Sequence, residues 1–443
     1  MVLSRDRRTS RKILTTEGYV EYERYRLYAV NTSEFKDSIE RCIAYYGDKS
    51  VYPMDIYLGI DKLPFKATAD AALRIARFGA TAPSYKEASI RLREDFDLRI
   101  SDNQIRDVVD YIGEIVLAED IRLTKESISA YNPSKIRSAR PGRRPNKGFI
   151  LYCEVDGAMF NTRGSKASRA DKNVEATSDT ELSYWKENKL GIVFRSDSLI
   201  ETTEKDDEGR PVFRIGSREY ICTTQGVDIF RERLLHIMIR NGLEDASDVV
   251  IISDGAPWIR KTREKYFPAS TQILDLFHLK ENVMKFAQYI HGNSKSQYYP
   301  WWKSVCQQLE NGLWKEVLER PEIAVYKEEK DTPSGIVNLY QYIWNNKDFI
   351  DYPAYKSKGY FVGSGAIESG NKTVLQQRLK LAGMRWYLES AESLLALRAK
   401  LKSDLWDECV TPLVHKKYST QHMLETSIRQ EQRMKHKKSA KST

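Results

Sequence analysis

The stretch Gly148–Phe160, GFILYCEVDGAMF, is a run of mostly apolar residues that turns polar at Asp156. Such a run is typical of a buried strand. We expect Asp156 to be the last residue of this strand, with Gly157 letting the chain turn away. The same arrangement recurs in DVVIISDGAPW (Asp248–Trp258), where an apolar strand ends at Asp254. The sequence therefore predicts two hydrophobic strands that end in matching carboxylates.

Other segments extend this pattern into an α/β sheet. The predicted strands and helices are KLGIVFRSD (Lys189–Asp197), RPVFRIGSREYIC (Arg210–Cys222), a helix over Val227–Gly242, and a strand followed by a helix in Thr271–Phe286. A single Asp-Gly is more often a simple turn. Two in matching positions on adjacent strands favour a paired-carboxylate site, because ligands gather at the carboxyl ends of strands in open α/β sheets. Two close acids repel unless a divalent cation lies between them, and Mg²⁺ selects oxygen ligands.

A third acid lies in YFVGSGAIESGNKTVLQQRLK (Tyr360–Lys380), which begins glycine-rich and enters a helix with Glu368 in its first turn. Taken alone, Glu368 is explained as well by the helix dipole or by a pair with Lys372. The dinucleotide-binding motif G-x-G-x-x-G is a weaker explanation of this stretch, because Glu368 stands where the third glycine of that motif should be.

Taken together, Asp156, Asp254 and Glu368 resemble the catalytic triad of DDE transposases, which have an RNase H-like fold. Three further stretches strengthen the resemblance. They are the Asp275–His278 element (Asp-x-x-His), which is similar to one in Mutator-like branches, and GSGAIESGNK and AGMRW (Ala382–Trp386), which look like the block around the catalytic glutamate. The resemblance covers about residues 148–400 and implies a bacterial insertion-sequence transposase. It does not determine the subfamily.

This resemblance implies an α/β, RNase H-like catalytic domain over 148–400, with a helical insertion before the catalytic glutamate. The insertion would span 293–358, which holds four of the eight tryptophans. Its aromatic residues are expected to form its own core, with base stacking as the alternative. Residues 401–443 would form a C-terminal helix and a basic tail.

The same resemblance implies metal-dependent phosphoryl transfer on DNA. Asp156, Asp254 and Glu368 would hold two Mg²⁺ (or Mn²⁺) ions, and hydrolysis would free a 3′-hydroxyl that then joins target DNA. His278 would orient a phosphate, although a histidine packed against the following helix is as good an explanation by residue type. Arg385 is a candidate DNA contact, whereas we expect Trp386 to be buried.

The N-terminal third predicts helices. Residues 1–60 form an N-terminal region, and 61–130 resemble a helix-turn-helix domain, with short helices in Thr68–Phe78 and Ser84–Phe96. A capping box at Ser101 starts the last helix. Its first turn would read bases through Asn103, Gln104 and Arg106. An ordinary helical hairpin fits the pattern as well.

Positive charge is concentrated in three polar stretches that look flexible. The net charge is +9, and residues 1–12, 131–149 and 432–443 carry +4, +6 and +5. Such stretches are typical of segments that bind a polyanion such as nucleic acid, although solvated linkers that keep the protein in solution explain them as well. The Pro-containing linker 131–147 supplies further candidate DNA contacts, namely Arg140, Arg143, Arg144 and Lys147.

Composition excludes several classes of protein. The five cysteines are scattered without a C-x-x-C pair, which argues against a disulfide framework and a zinc knuckle. No apolar run of about 18 residues predicts a membrane span, and no secretory signal is expected at the start. We expect a cytoplasmic, nucleoid-associated protein that binds double-stranded DNA at element ends and target. Bringing two ends together implies a homodimer or a larger assembly.

Two other functions remain open from the sequence. The first is a domesticated or inactive transposase that acts as a DNA-binding regulator, although such a protein has no chemical need for all three acids. The second is a structure-selective RNase H-like nuclease, which cuts without joining and has less use for a sequence-reading N-terminal domain. A nucleotide-dependent oxidoreductase is a distant third, since it rests only on the GSG at residues 363–365.

Overall fold

A computed structural model describes residues 1–60, 65–132, 148–163, 184–205, 211–328 and 331–418. Its centre is a mixed sheet of five strands. These are β4 (Ile150–Thr162), β5 (Tyr184–Arg195), β8 (Arg218–Thr223), β9 (Asp248–Ser253) and β10 (Thr271–Leu274). They are ordered β10-β9-β4-β5-β8, so the first strand of this set lies in the middle. β4, β9 and β10 are parallel, and β5 and β8 are antiparallel to their neighbours. The fold is therefore mixed α/β.

The expected end of the first strand at Asp156 was wrong. β4 continues to Thr162, and Asp156 lies opposite Leu190 in the middle of its ladder with β5. Gly157 is part of this ladder and does not turn the chain. The parallel neighbour β9 does end here, because its last residue, Ser253, lies opposite Val155. Asp156 thus stands where one neighbouring strand stops while the other continues.

The second expected strand end was right. β9 ends at Ser253, and Gly255 has a φ of +88°, which favours glycine. The adjacent parallel strands therefore bring Asp156 and Asp254 to the same edge of the β9 ladder.

One strand was predicted over Arg210–Cys222, but the described residues from Pro211 onward form two. β7 (Pro211–Ile215) pairs with β6 (Leu199–Lys205) in a separate two-stranded sheet, and β8 joins the central sheet. Gly216 and Ser217 separate β7 from β8, and the backbone N–H of Gly216 donates to the carbonyl oxygen of Ser198 at the end of the β6–β7 pair.

The two faces of the sheet have different covers. Leu151, Cys153 and Val155 pack with residues of α6 (Val227–Arg240) and α7 (Pro257–Tyr266). Tyr152 lies on the other face, in the larger core shared with the remaining helices. Since side chains alternate along a strand, Glu154 and Asp156 belong to this second face.

The start of the chain is ordered, so the expectation of a flexible basic stretch over residues 1–12 was wrong. β1 (Leu3–Thr15) and β2 (Gly18–Ala29) form an antiparallel hairpin, and β3 (Ser50–Val51) adds a short third strand. The helices α1 (Ser38–Tyr46) and α2 (Pro53–Tyr57) follow β2 and β3. The buried Asp55 of α2 accepts hydrogen bonds from three hairpin side chains, Arg11, Tyr22 and Arg24. These bonds hold the hairpin on the protein.

Three further N-terminal helices begin within one residue of the predicted starts. They are α3 (Ala69–Thr81), α4 (Tyr85–Phe96) and α5 (Asp102–Ala130). Thr68 and Ser84 are N-caps, and Ser101 forms the predicted capping box with Gln104. At 29 residues α5 is far longer than expected, and it packs against α6 and α16 (Leu388–Lys402). The helix-turn-helix domain stays a prediction.

The second half of the chain is mostly helical. Its elements are α8 (Leu276–His291), α9 (Lys295–Glu310), α10 (Trp314–Leu318), α11 (Pro321–Ala324), α12 (Leu339–Asn346), α13 (Tyr352–Ser357), α14 (Gly365–Gly370), a π-helix (Asn371–Gln376), α15 (Gln377–Leu379), α16 and a second π-helix (Trp406–Val410). Within 293–358, three of the four tryptophans pack against the main core, and Trp344 is the exposed one. Within the described ranges, no helix combines the length and apolar character needed to cross a membrane.

Candidate metal centre

Two adjacent parallel strands position the first two acids. Asp156 and Asp254 directly follow Val155 and Ser253, which lie opposite each other in the ladder. Both aspartates are half-buried. An Asp156 oxygen accepts the N–H of Gly157 at 2.7 Å, and an Asp254 oxygen accepts the N–H of Ala256 at 3.0 Å. Each carboxylate thus retains acceptor capacity for a ligand.

The helix that carries Glu368 is held by two buried carboxylates. Glu154, which is 2% exposed, accepts the backbone N–H of Ile367 at 2.8 Å. Asp275, which is completely buried, accepts the backbone N–H of Ser364 at 3.0 Å and also its hydroxyl. These contacts fix the first turn of α14, so that Glu368 extends from an anchored helix while its own side chain stays exposed.

Asp275 joins two elements at once. Besides its bonds to Ser364, it is the N-cap of α8 and accepts the N–H groups of Phe277 at 3.0 Å and His278 at 3.4 Å. A carboxylate has about four acceptor positions. Because protein donors approach Asp275 at four places, we assign it to holding α8 and the Ser364 turn in place.

His278 lies beside this junction. Its Nε2 is 3.7 Å from an oxygen of Asp275, and its Nδ1 is 3.8 Å from an oxygen of Glu281. Asp275, His278 and Glu368 each offer one ligand atom, and these atoms lie within 4.8 Å of one another. The three atoms are close enough to share an ion, but Asp275 already accepts from four protein donors, so His278 and Glu368 are the members of this group that have room for one.

Electrostatics connect this group to the two strand acids. The pKa of Asp156 is raised, first by burial and then by the negative charges of Asp254 and Glu368, while the Gly157 N–H and His278 act in the opposite direction. Within the described part of the chain, no lysine or arginine forms a salt bridge with Asp156, Asp254 or Glu368. This repulsion favours a divalent cation with oxygen ligands near Asp156. The group whose ligand atoms lie within 4.8 Å of one another, however, is Asp275, His278 and Glu368, and it contains neither Asp156 nor Asp254.

A cavity of about 1100 Å³ opens beside α14. Its wall includes Glu154 and the aromatic side chains of Phe213, Phe277 and Phe361, and the basic side chains around it include Arg214. Phe277 is 58% exposed although it directly precedes His278. The cavity therefore offers aromatic surface and positive charge beside α14, with Glu154, rather than Asp156, Asp254 or Glu368, in its wall.

The other predicted residues lie apart from this centre. Asn103 and Gln104 are exposed at the start of α5, where the Gln104 amide oxygen accepts the N–H and hydroxyl of Ser101. Arg106 forms a salt bridge with Asp107 at 3.2 Å. Arg385 is exposed, and Trp386 is buried as expected, with its ring against Tyr85 and Arg378. Outside the described residues lie the basic tail from 419 and the predicted linker contacts, Arg140, Arg143, Arg144 and Lys147.

The sequence reasoning missed two residues of the centre, Glu154 and Asn371. Glu154 gave a signal, because it is a charged residue inside a hydrophobic strand and, at two positions from Asp156, it shares that residue's face. Its burial raises its pKa to about 8. Asn371 donates a hydrogen bond from Nδ2 to Asp156. This contact joins residues 215 positions apart and left no local signal.

Comparison with known protein families matches part of the chain. The model of an uncharacterised protein family, UPF0236, matches residues 199–405. This segment is similar to that family and contains Asp254, His278 and Glu368, while β4 with Asp156 lies before it. No curated protein matches the chain.

Proposed function

We propose that this protein is a DNA transposase of an insertion sequence, with Asp156, Asp254 and Glu368 as its acidic triad. One observation carries the proposal. The acids of two neighbouring parallel strands and of an anchored helix act on the same point of the molecule, since Asp254 and Glu368 both raise the pKa of Asp156. We further propose that the sheet is RNase H-like, which the mixed five-stranded order with β4 at its centre supports.

The chemistry would be phosphoryl transfer on DNA. Divalent cations bound by the three acids would polarise the scissile phosphate and activate the attacking water. Water attack forms a new P–O bond and breaks the bond to the 3′ oxygen, which leaves as a 3′-hydroxyl. That hydroxyl then attacks a phosphate of the target in an equivalent step. His278, close to Asp275 and Glu368, would direct a ring N–H at a phosphate oxygen.

The cavity beside α14 supports a nucleic-acid strand as substrate. Exposed aromatic rings stack on unpaired bases without regard to sequence, and basic residues bind the phosphate backbone. Phe277 offers such a ring next to His278, and Arg214 adds positive charge. The strand would then run from the cavity past the acids.

The test uses the purified full-length protein with the DNA that flanks its own gene, in Mg²⁺ or Mn²⁺. Nicking and joining to a second DNA are measured for the wild type, for Asp254→Asn and for a control, Asp228→Asn, which changes an acid on α6 whose side chain is 84% exposed. We expect wild type and control to cleave and join, and Asp254→Asn to bind DNA without cleaving it.

Other results of this test would indicate a different function. Specific DNA binding without cleavage by the wild type indicates a regulator. Cleavage without joining indicates a nuclease. If Asp254→Asn cleaves as well as the control, the proposed triad is wrong.

A further inference from the structure

Asn371 links the helical segment that carries Glu368 to the strand that carries Asp156. It begins the π-helix three residues after Glu368 and is only 4% exposed. Residues three apart on a helix lie on the same side, so Asn371 follows Glu368 towards the strand acids. Its Nδ2 donates a hydrogen bond to Oδ2 of Asp156. Short π-helical stretches occur frequently at functional sites.

The oxygen of this amide, Oδ1, has no hydrogen-bond partner in the part of the chain that the structure describes. Among the described residues, nothing donates a hydrogen bond to Oδ1 of Asn371, although this oxygen is buried. The orientation of the amide is fixed, because turning it over would place its oxygen against the Asp156 carboxylate. Because Oδ1 and Nδ2 are bonded to the same carbon atom, Oδ1 lies within a few ångströms of the carboxylate that Nδ2 contacts. A buried polar atom without a partner calls for an explanation, and beside an acidic centre a bound ion supplies one.

We propose that Oδ1 of Asn371 is a neutral oxygen ligand of the divalent cation held by Asp156 and Glu368. The inference rests on the metal centre of the proposed function and adds a ligand to it. Hard cations bind amide oxygens as well as carboxylates. A neutral ligand suits this position, because a fourth carboxylate would add to the repulsion that already raises the pKa of Asp156. The same side chain holds Asp156 in place through Nδ2.

The experiment counts the water molecules on a bound ion. Eu³⁺ alone is added to the full-length protein without DNA, and its luminescence decay is compared in H₂O and D₂O. Asn371→Leu has a similar size but neither donates nor accepts. Asn371→Asp keeps an oxygen and loses the donor. The control, Asn241→Leu, removes a comparable amide bond, at 2.8 Å to the buried Glu219, at the end of α6.

We expect Asn371→Leu to gain about one water on Eu³⁺ and to bind the ion about tenfold more weakly. Asn371→Asp should keep the wild-type number of waters and bind at least as tightly, and Asn241→Leu should match the wild type. If Asn371→Leu does not fold, the Asp variant still decides, because loss of affinity there indicates that only the donor matters.

Two results overturn the inference in different ways. An unchanged number of waters in Asn371→Leu leaves the metal centre intact and shows that Asn371 only positions Asp156. Failure of the wild type to bind Eu³⁺ overturns the metal centre, and the inference with it.

Discussion

Buried acids occur in two regions of this molecule, and the surroundings differ. On the α16 side of the sheet, Glu392 meets a full set of donors. Arg233 of α6 approaches it at 3.0 Å, the hydroxyl of Thr223 donates at 2.6 Å, and Thr224 donates through its N–H at 2.8 Å. Nearby, Asp120 of α5 pairs with the buried Lys400 at 2.9 Å. Each of these buried negative charges lies next to a positive one.

At the candidate metal centre the acids face one another instead. Asp254 and Glu368 add to the burial that raises the pKa of Asp156, and His278 is the neighbouring side chain that opposes them. A buried charge needs a partner to offset its lost hydration. The α16 region supplies partners from its own chain, whereas we propose that a cation from outside offsets the acids of the candidate metal centre. This difference suggests that the first group serves stability and the second serves function.

Removing the arginine that pairs with the buried Glu392 should give the largest change in stability. Arg233→Ala leaves Glu392 buried without its cation, and we expect the free energy of unfolding to fall by about 3–5 kcal/mol. Arg41→Ala is the control, because Arg41 pairs with Asp37 one helical turn away at an exposed site and should cost about 0.3–0.5 kcal/mol. Urea denaturation measures both. Equal losses in the two variants would show that Arg233 does not compensate Glu392.

Metal binding should stabilise the protein only through the acids of the candidate metal centre. With free Mg²⁺ at about 100 times its dissociation constant, the wild type should gain about 2.7 kcal/mol of unfolding free energy. We expect Asp254→Asn to lose most of this gain, because it loses a ligand charge, and Arg41→Ala to keep it. The measurement is thermal unfolding in a series of Mg²⁺ concentrations. A gain that persists in Asp254→Asn would place the ion elsewhere.

Local patterns predicted much of this architecture. The two Asp-Gly strand segments, the helices in Thr68–Phe78 and Ser84–Phe96 and the capping box at Ser101 are signals contained in a few neighbouring residues, and the structure has all of them. The continuation of β4 beyond Asp156 could not be predicted in this way. It depends on hydrogen bonds to β5, a strand that runs longer than the segment predicted from Lys189 to Asp197.

Long-range contacts explain the remaining misses. The length of α5 follows from packing against α16, which lies far along the chain. Asp275 was assigned beside the triad by resemblance, but its bonds to Ser364 cross 89 positions. The N-terminal hairpin depends on Asp55, which gathers Arg11 and Arg24 into one buried cluster. None of these contacts leaves a periodic signal in the sequence.

The most gradual effect expected here is a change of stability with pH in the metal-free protein. Burial raises the pKa of Glu154 from its usual 4.5 to about 8. Between these values the folded protein keeps a proton that the unfolded chain releases, so stability falls as pH rises. One such group changes the unfolding free energy by at most ~1.4 kcal/mol per pH unit. The effect of Glu154 should be complete above about pH 8.

Comparison with Glu154→Gln isolates this group, because every other titrating side chain is common to both proteins. Urea denaturation in a chelating buffer from pH 5 to pH 8 should show the wild type losing stability relative to the variant as pH rises. The glutamine keeps an oxygen for the N–H of Ile367, so the anchor of α14 is retained. Parallel curves would mean that the Glu154 carboxyl is already ionised at pH 5, and that the acid centre contains one more negative charge for a cation to offset.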